Sequence, residues 1–261
     1  MNCHDSRTVL SPDGIPLFCD CAGEGDPMLL FIHGWTCRRT YWLPQLQHFA
    51  AIRAVAAPDL PGHGETPAAG RSRWNVDSFA RDIVACADAL MAKKLVLIGH
   101  SMGGAVALEA ARRLQDRVAG VVLVDTFVID YGGLDKDTIQ AIAAPFEADF
   151  PAAMAALVTQ TATAATPPEL LARLVREMSA ADPVWAIPVW RDLLAWSPAA
   201  AFKELRVPIQ AVNGDLIPPS ARERCAPFVT ETLIPGAGHF LQMENPAFFN
   251  QVLESVLKRL R

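Results

Sequence analysis

Apolar residues fall along this chain in two alternating rhythms. Short, nearly continuous apolar runs have the length of buried strands: MLLFIHG at 28–34, RAVAAPD at 53–59, KLVLIGH at 94–100 and GVVLVD at 120–125. Each gives way to polar or glycine residues and then to a stretch with helical spacing. Within 76–91, for example, Phe79, Ile83, Val84, Cys86, Ala87 and Leu90 make one approximate inner face. Near the start, RTVL and IPLFCDC flank a Pro-Asp-Gly turn at 12–14, a hairpin signal. Strand–helix alternation of this kind predicts an α/β fold, with a mostly parallel central sheet and helices on both faces.

The rhythm changes after Val124. From Phe127 to Lys203 the sequence reads as alanine-rich helix interrupted by Pro151, Pro167, Pro168, Pro183, Pro188 and Pro198. Strand patterns return at 208–215 and 230–236. A closing helix follows, with Asn245 as N-cap, Pro246 in its first turn, and a stripe of Phe249, Val252, Leu253, Val256, Leu257 and Leu260. The expected organisation is therefore a core domain of 1–126 and 204–261, interrupted by a helical cap, or lid, at 127–203. No internal repeat is visible.

Composition narrows the function. Of the 261 residues 51% are hydrophobic and 20% charged, enough apolar side chain to bury a sizeable core without disulfides or metals. A net charge of −5 and the absence of any lysine or arginine run argue against nucleic acid or an anionic membrane surface as partner. The six cysteines, Cys3, Cys19, Cys21, Cys37, Cys86 and Cys225, are scattered, and Cys19 and Cys21 read as strand thiols rather than a metal site. The polar start, MNCHDSRTVL, predicts no signal peptide, and no apolar run reaches the length of a membrane span. A reduced, cytoplasmic protein is expected.

The strongest chemical feature is Gly99-His100-Ser101-Met102-Gly103-Gly104, placed directly after the KLVLI strand and opening the helix AVALEAARRL. A serine in G-x-S-x-G between strand and helix is a nucleophile elbow. Its glycines permit the tight turn, and the helix N-terminus supplies partial positive charge where an oxyanion forms. A serine hydroxyl needs a base to take its proton. Of the six histidines, His4, His33, His48, His63, His100 and His239, only His239 lies on a loop after the last strand, where this elbow's base belongs. His100 flanks the serine with its ring turned away, and His33 and His63 sit in glycine turns as scaffolding. The base in turn needs a carboxylate at the end of a strand. Asp215, after PIQAVNG, is preferred; Asp125, ending GVVLVD, is the alternative. The backbone N–H groups of Met102 and Trp35 are expected to form the oxyanion hole.

Together these residues resemble the α/β-hydrolase superfamily over nearly the whole chain. The turn at His33–Trp35, the segment Asp59-Leu60-Pro61-Gly62-His63-Gly64, the GHSMGG elbow and the GAGHF box follow its order and spacing. Within it the chain is most similar to small cap-bearing esterases, including pimeloyl-carrier methyl ester esterases, and it also resembles meta-cleavage-product hydrolases and cofactor-free perhydrolases. The resemblance implies a Ser-His-Asp triad working without cofactor or metal under a helical cap. One departure stands out: many relatives place the acid three residues after the strand-ending glycine, whereas Gly214 and Asp215 are adjacent here. Ser101 excludes the aspartate-nucleophile chemistry of haloalkane dehalogenases and epoxide hydrolases.

The expected activity is that of a carboxylesterase. Ser101 forms an acyl-enzyme from a small, largely apolar ester, and His239 shuttles the proton. The cap carries Phe127, Phe146, Phe150, Met154, Leu157, Trp185, Trp190 and Trp196, most of which should seal it onto the core. Trp35, Phe127, Phe146, Trp185 and Trp190 are the expected substrate-binding residues. The alternatives are a carbon–carbon hydrolase or lactonase with the same triad, a perhydrolase, and a ligand sensor on a hydrolase fold.

Overall fold

A computed structural model describes residues 5–260; Cys3 and His4 lie outside the described residues. The elements run β1 (Asp5–Leu10), β2 (Pro16–Ala22), β3 (Met28–Ile32), α1 (Leu43–Phe49), β4 (Val55–Pro58), α2 (Val76–Ala89), β5 (Leu95–His100), α3 (Met102–Leu114) and β6 (Val118–Val124). Helices α4 (Lys136–Ala148), α5 (Phe150–Gln160), α6 (Pro168–Ser179), α7 (Pro183–Ala195) and α8 (Ala199–Glu204) then intervene before β7 (Ile209–Asn213). The chain finishes with α9 (Pro219–Cys225), β8 (Thr230–Leu233), α10 (Leu241–Glu244) and α11 (Pro246–Lys258).

The strands form one eight-stranded sheet in the order β1-β2-β4-β3-β5-β6-β7-β8. The β1–β2 and β2–β4 pairs are antiparallel, and every pair from β4 to β8 is parallel. Period-2 side-chain alternation sorts the central strands into two cores. Leu30, Ile32, Leu95, Leu97, Val121 and Leu123 face α2, α3 and the helices inserted between β6 and β7. Leu29, Phe31, Val96, Ile98, Val122 and Val124 face the other layer with Trp42, Phe49, Phe249 and Leu253 of α1, α11 and their approaches. Because both faces are covered, β5 is buried along its whole length.

Several expected boundaries shorten, each for a local reason. The strands end at Ile32, Pro58 and Leu233, where the chain leaves the sheet to build loops. Helix α2 stops at Ala89, and Met91 takes a left-handed φ of 53° that no helix continues through. At α11 the Asn245 side chain accepts from the Phe248 N–H, so that N-cap is present as the sequence suggests. Within the inserted helical segment, α4 packs on α5 and α7, while α7 and α8 rest on α2 and α3 of the sheet layer.

Candidate active site

Ser101 occupies the sharp turn between β5 and α3 with φ 54° and ψ −123°, a conformation that non-glycine residues rarely adopt. Two bonds hold it there: its N–H donates to Val124 O at 2.9 Å and its carbonyl accepts from Gly104 N–H at 2.9 Å. The turn closes only because Gly99 has no side chain. A Cβ there would lie 2.1 Å from Gly103 O and 2.5 Å from Gly104 N.

The loop after β3 meets this elbow edge-on. A Cβ on Gly34 would lie 3.1 Å from Ser101 Cβ, so Gly34 lets the backbone before Trp35 reach the serine. His33 fixes that backbone. Leu60 N–H donates to His33 Nε2 at 3.0 Å, so the ring carries its proton on Nδ1 and donates it to Gly34 O at 2.8 Å. Burial lowers the His33 pKa and favours this neutral form. Among the described residues neither Trp35 N–H nor Met102 N–H has a protein acceptor. The second opens α3, where a helix leaves its first donors free.

His239 lies on the loop between β8 and α10. Its Nδ1 is 2.7 Å from Asp125 Oδ2, and Asp125 is fully buried at the end of β6 with a left-handed φ of 47°. The other carboxylate oxygen, Oδ1, accepts from Gly214 N–H at 2.9 Å. Of the two carboxylates weighed in the sequence, the one against the histidine is the alternative, Asp125, and not the preferred Asp215. Gly214 and Asp215 are adjacent, so Asp215 follows the end of β7 with a single residue between. The Gly214 N–H points at Asp125. Asp215 stays exposed and accepts from Gly236 N–H at 2.8 Å.

His100 contributes indirectly. Its Nε2 donates to the His239 carbonyl at 2.8 Å, and its ring lies 4.6 Å from the His239 ring. Burial pushes the His100 and His63 pKa values well down, so both rings are neutral. His63 donates from Nδ1 to Pro61 O at 3.0 Å and takes no part in the site.

Ser101 and His239 line one cavity of about 270 Å³. Its walls include Trp35, Cys37, Val128, Ile129, Tyr131, Leu157, Trp190 and Phe240, and no lysine, arginine, aspartate or glutamate. Cys37 is the other nucleophilic atom type present. Burial raises its pKa to about 12, which keeps it an unreactive thiol. Trp35 stacks on Trp190 at 4.4 Å and 5° and donates from Nε1 to Ala186 O at 2.9 Å.

Of the five side chains expected to bind substrate, Trp35 and Trp190 line this cavity and the other three do not. Phe127 faces a separate cavity with Ile217, Cys225 and Val229. Phe146 packs behind the tryptophan stack, 5.2 Å from Trp35 and 5.4 Å from Trp190. Trp185 lies against His63 at 4.4 Å and Trp74 at 5.9 Å. Sequence reasoning missed Tyr131 and Thr161 of the lining, and no local pattern marks either. The Tyr131 hydroxyl has no hydrogen-bond partner among the described residues.

Elsewhere, Cys19 and Cys21 sit on one face of β2 as buried free thiols with sulfurs 3.7 Å apart. Among the described residues no three His, Cys, Asp or Glu side chains gather as a metal site, and no helix is long and apolar enough to cross a membrane.

Comparison with known proteins agrees with this architecture. A model of the alpha/beta hydrolase family matches residues 29–252. The chain is 30% identical over 254 residues to the dihydrolipoyllysine-residue acetyltransferase component of the acetoin cleaving system of Pseudomonas putida, covering 92% of this chain and 66% of that protein. It is 35% identical over 152 residues to the lipase LipV of Mycobacterium tuberculosis, covering 58% of this chain and 57% of that one. The chain thus spans less than two thirds of the length of either relative. A thermophilic esterase from Thermogutta terrifontis superposes with a TM-score of 0.83 at 25% identity, over 98% of this chain and 99% of that one.

Proposed function

Since the chain belongs to the alpha/beta hydrolase family, we propose that it is a serine carboxylesterase whose triad is Ser101, His239 and Asp125. The observation that carries this reading is the meeting of the strained Ser101 elbow and the 2.7 Å His239–Asp125 pair on one uncharged, largely apolar cavity. The lipase and esterase named above support ester hydrolysis as the chemistry.

The bond to Asp125 requires the neutral His239 ring to carry its proton on Nδ1, leaving the Nε2 lone pair to receive the serine proton. Ser101 Oγ attacks the ester carbonyl as Nε2 takes that proton. The carbonyl oxygen becomes an oxyanion held by the N–H groups of Met102 and Trp35. These donors are already fixed, one by the start of α3 and the other by the His33–Gly34 bond, so little reorganisation is needed as charge develops. The imidazolium, stabilised by Asp125, then protonates the leaving alcohol as the carbon–oxygen bond breaks. Water attacks the resulting acyl-Ser101, giving its proton to Nε2. Collapse of the second tetrahedral intermediate releases the carboxylic acid and returns the proton to Oγ. The scheme calls for no cofactor and no metal.

Substrate choice follows from the walls. An uncharged cavity of about 270 Å³ suits small esters with apolar acyl or alcohol parts, since an ionic group would be desolvated there without a partner. Residues 127–203 act as the cap, contributing Val128, Leu157 and Trp190 to the cavity over the serine. The test is hydrolysis of p-nitrophenyl esters of increasing acyl length, beside a Ser101→Ala control. The expected result is turnover of the short esters that disappears in the variant. No turnover by folded wild-type protein at any length would contradict the reading.

A further inference from the structure

The loop carrying His239 is bonded through its backbone to the inserted helical segment. His239 N–H donates to Thr161 O at 2.9 Å, and the Thr163 hydroxyl donates to Gly236 O at 2.8 Å. Glu244, at the end of α10, joins the two sides: Oε2 accepts from Gly238 N–H at 2.8 Å and Oε1 from the Thr166 hydroxyl at 2.7 Å. Thr166 Oγ1 accepts in turn from Thr163 N–H at 3.0 Å, which closes the 161–166 turn on itself. The fit is tight. A Cβ on Gly238 would lie 2.6 Å from Glu244 Oε1 and 3.0 Å from Thr161 O.

The base is thus held from three directions. Asp125 holds the ring, His100 holds the carbonyl, and Thr161 of the helical segment holds the amide. Only the last of these comes from outside the sheet domain. Thr161 also lines the catalytic cavity, so the turn that faces a bound substrate is the turn that holds the histidine.

We propose that residues 161–166 and Glu244 form a clasp that positions His239, so that the base is in register with Ser101 only while the helical segment is seated. This rests on the esterase reading above. Glu244 touches neither substrate nor reacting atoms; it is a positioning residue. Its carboxylate accepts two hydrogen bonds, and charge-assisted bonds of this kind are stronger than neutral ones. Without it Gly238 N–H loses its acceptor and the 161–166 turn its tie to α10, so the turn that holds the His239 N–H loosens against the loop and the imidazole shifts with it. Displacements of about 1 Å at a reacting group cost on the order of 10²-fold in rate.

The test uses the full chain carrying Glu244→Ala, Glu244→Gln or Thr166→Val. Two quantities are read: steady-state p-nitrophenyl ester hydrolysis, and the downfield proton NMR resonance of the His239 N–H shared with Asp125. For Glu244→Ala the expected result is a kcat lowered about ten- to hundredfold, little change in KM, and a broadened or missing resonance. Glu244→Gln, which keeps one carbonyl acceptor, recovers part of both. Thr166→Val shows a smaller loss in the same direction, and it carries the test if Glu244→Ala fails to fold. A folded variant with wild-type kcat and an unchanged resonance overturns the clasp, as does a change confined to KM. If wild type hydrolyses no ester but the resonance is still lost in the variants, the clasp stands and the esterase reading falls.

Discussion

Two carboxylates at neighbouring strand ends, Asp125 after β6 and Asp215 after β7, differ in what they face. Asp125 is fully buried and spends one oxygen on His239 and the other on Gly214 N–H, whereas Asp215 is exposed and braces the Gly236 turn. An amide at 125 would offer the ring the wrong hydrogen-bonding partner and favour the wrong tautomer. Asp125→Asn is therefore expected to lower kcat on a p-nitrophenyl ester by about 10³–10⁴ while the fold survives. Asp215→Asn should leave kcat within a few-fold of wild type, and the reverse pattern would reassign the acid. The proposed serine and histidine stand out in the sequence because each sits in a short glycine-rich motif whose geometry is local. The proposed acid was legible only as an alternative, because the choice between two strand ends depends on how β6 and β7 lie against the histidine loop. The same limit applies to the cavity. Phe127, Phe146 and Trp185 are as apolar as Trp190, and only packing between elements decides which of them reaches the cavity.

Among the elements, the β5–α3 elbow concentrates the cost of the site. A non-glycine residue at φ 54° and ψ −123° stores on the order of 1–3 kcal/mol, and the flanking strand and helix must hold it. Gly99 is the point where they come closest. Gly99→Ala would place a methyl 2.1 Å from Gly103 O and force the elbow apart. The expected outcome is a loss of about 1–3 kcal/mol in urea unfolding, together with a fall in ester turnover larger than the loss of folded protein explains. Unchanged stability and unchanged turnover would show that the elbow tolerates displacement. The central strands and their helices were legible from periodicity alone, because a parallel sheet covered on both faces requires nearly continuous apolar runs. Their ends were less so: β3 and β4 leave the sheet at Ile32 and Pro58 because the residues beyond them build the loops around the site.

Across the whole molecule, the carboxyl ends of the parallel strands lead to the residues of the proposed site, and the segment between β6 and β7 lines the same cavity. β3 leads to the Gly34–Trp35 peptide, β5 to Ser101, β6 to Asp125 and β8 to His239. The inserted helices supply apolar walls and, through the 161–166 turn, the bond to the His239 amide. In the proposed mechanism Ser101 carries the acyl group. Its most direct test is to mix the protein with p-nitrophenyl acetate, quench in acid within the first turnovers, and weigh the proteolytic peptides. The expected result is one acetyl group on the peptide containing Ser101, and none in the Ser101→Ala variant. Acetyl found on Cys37 instead, or steady turnover with no acetyl on Ser101, would contradict it.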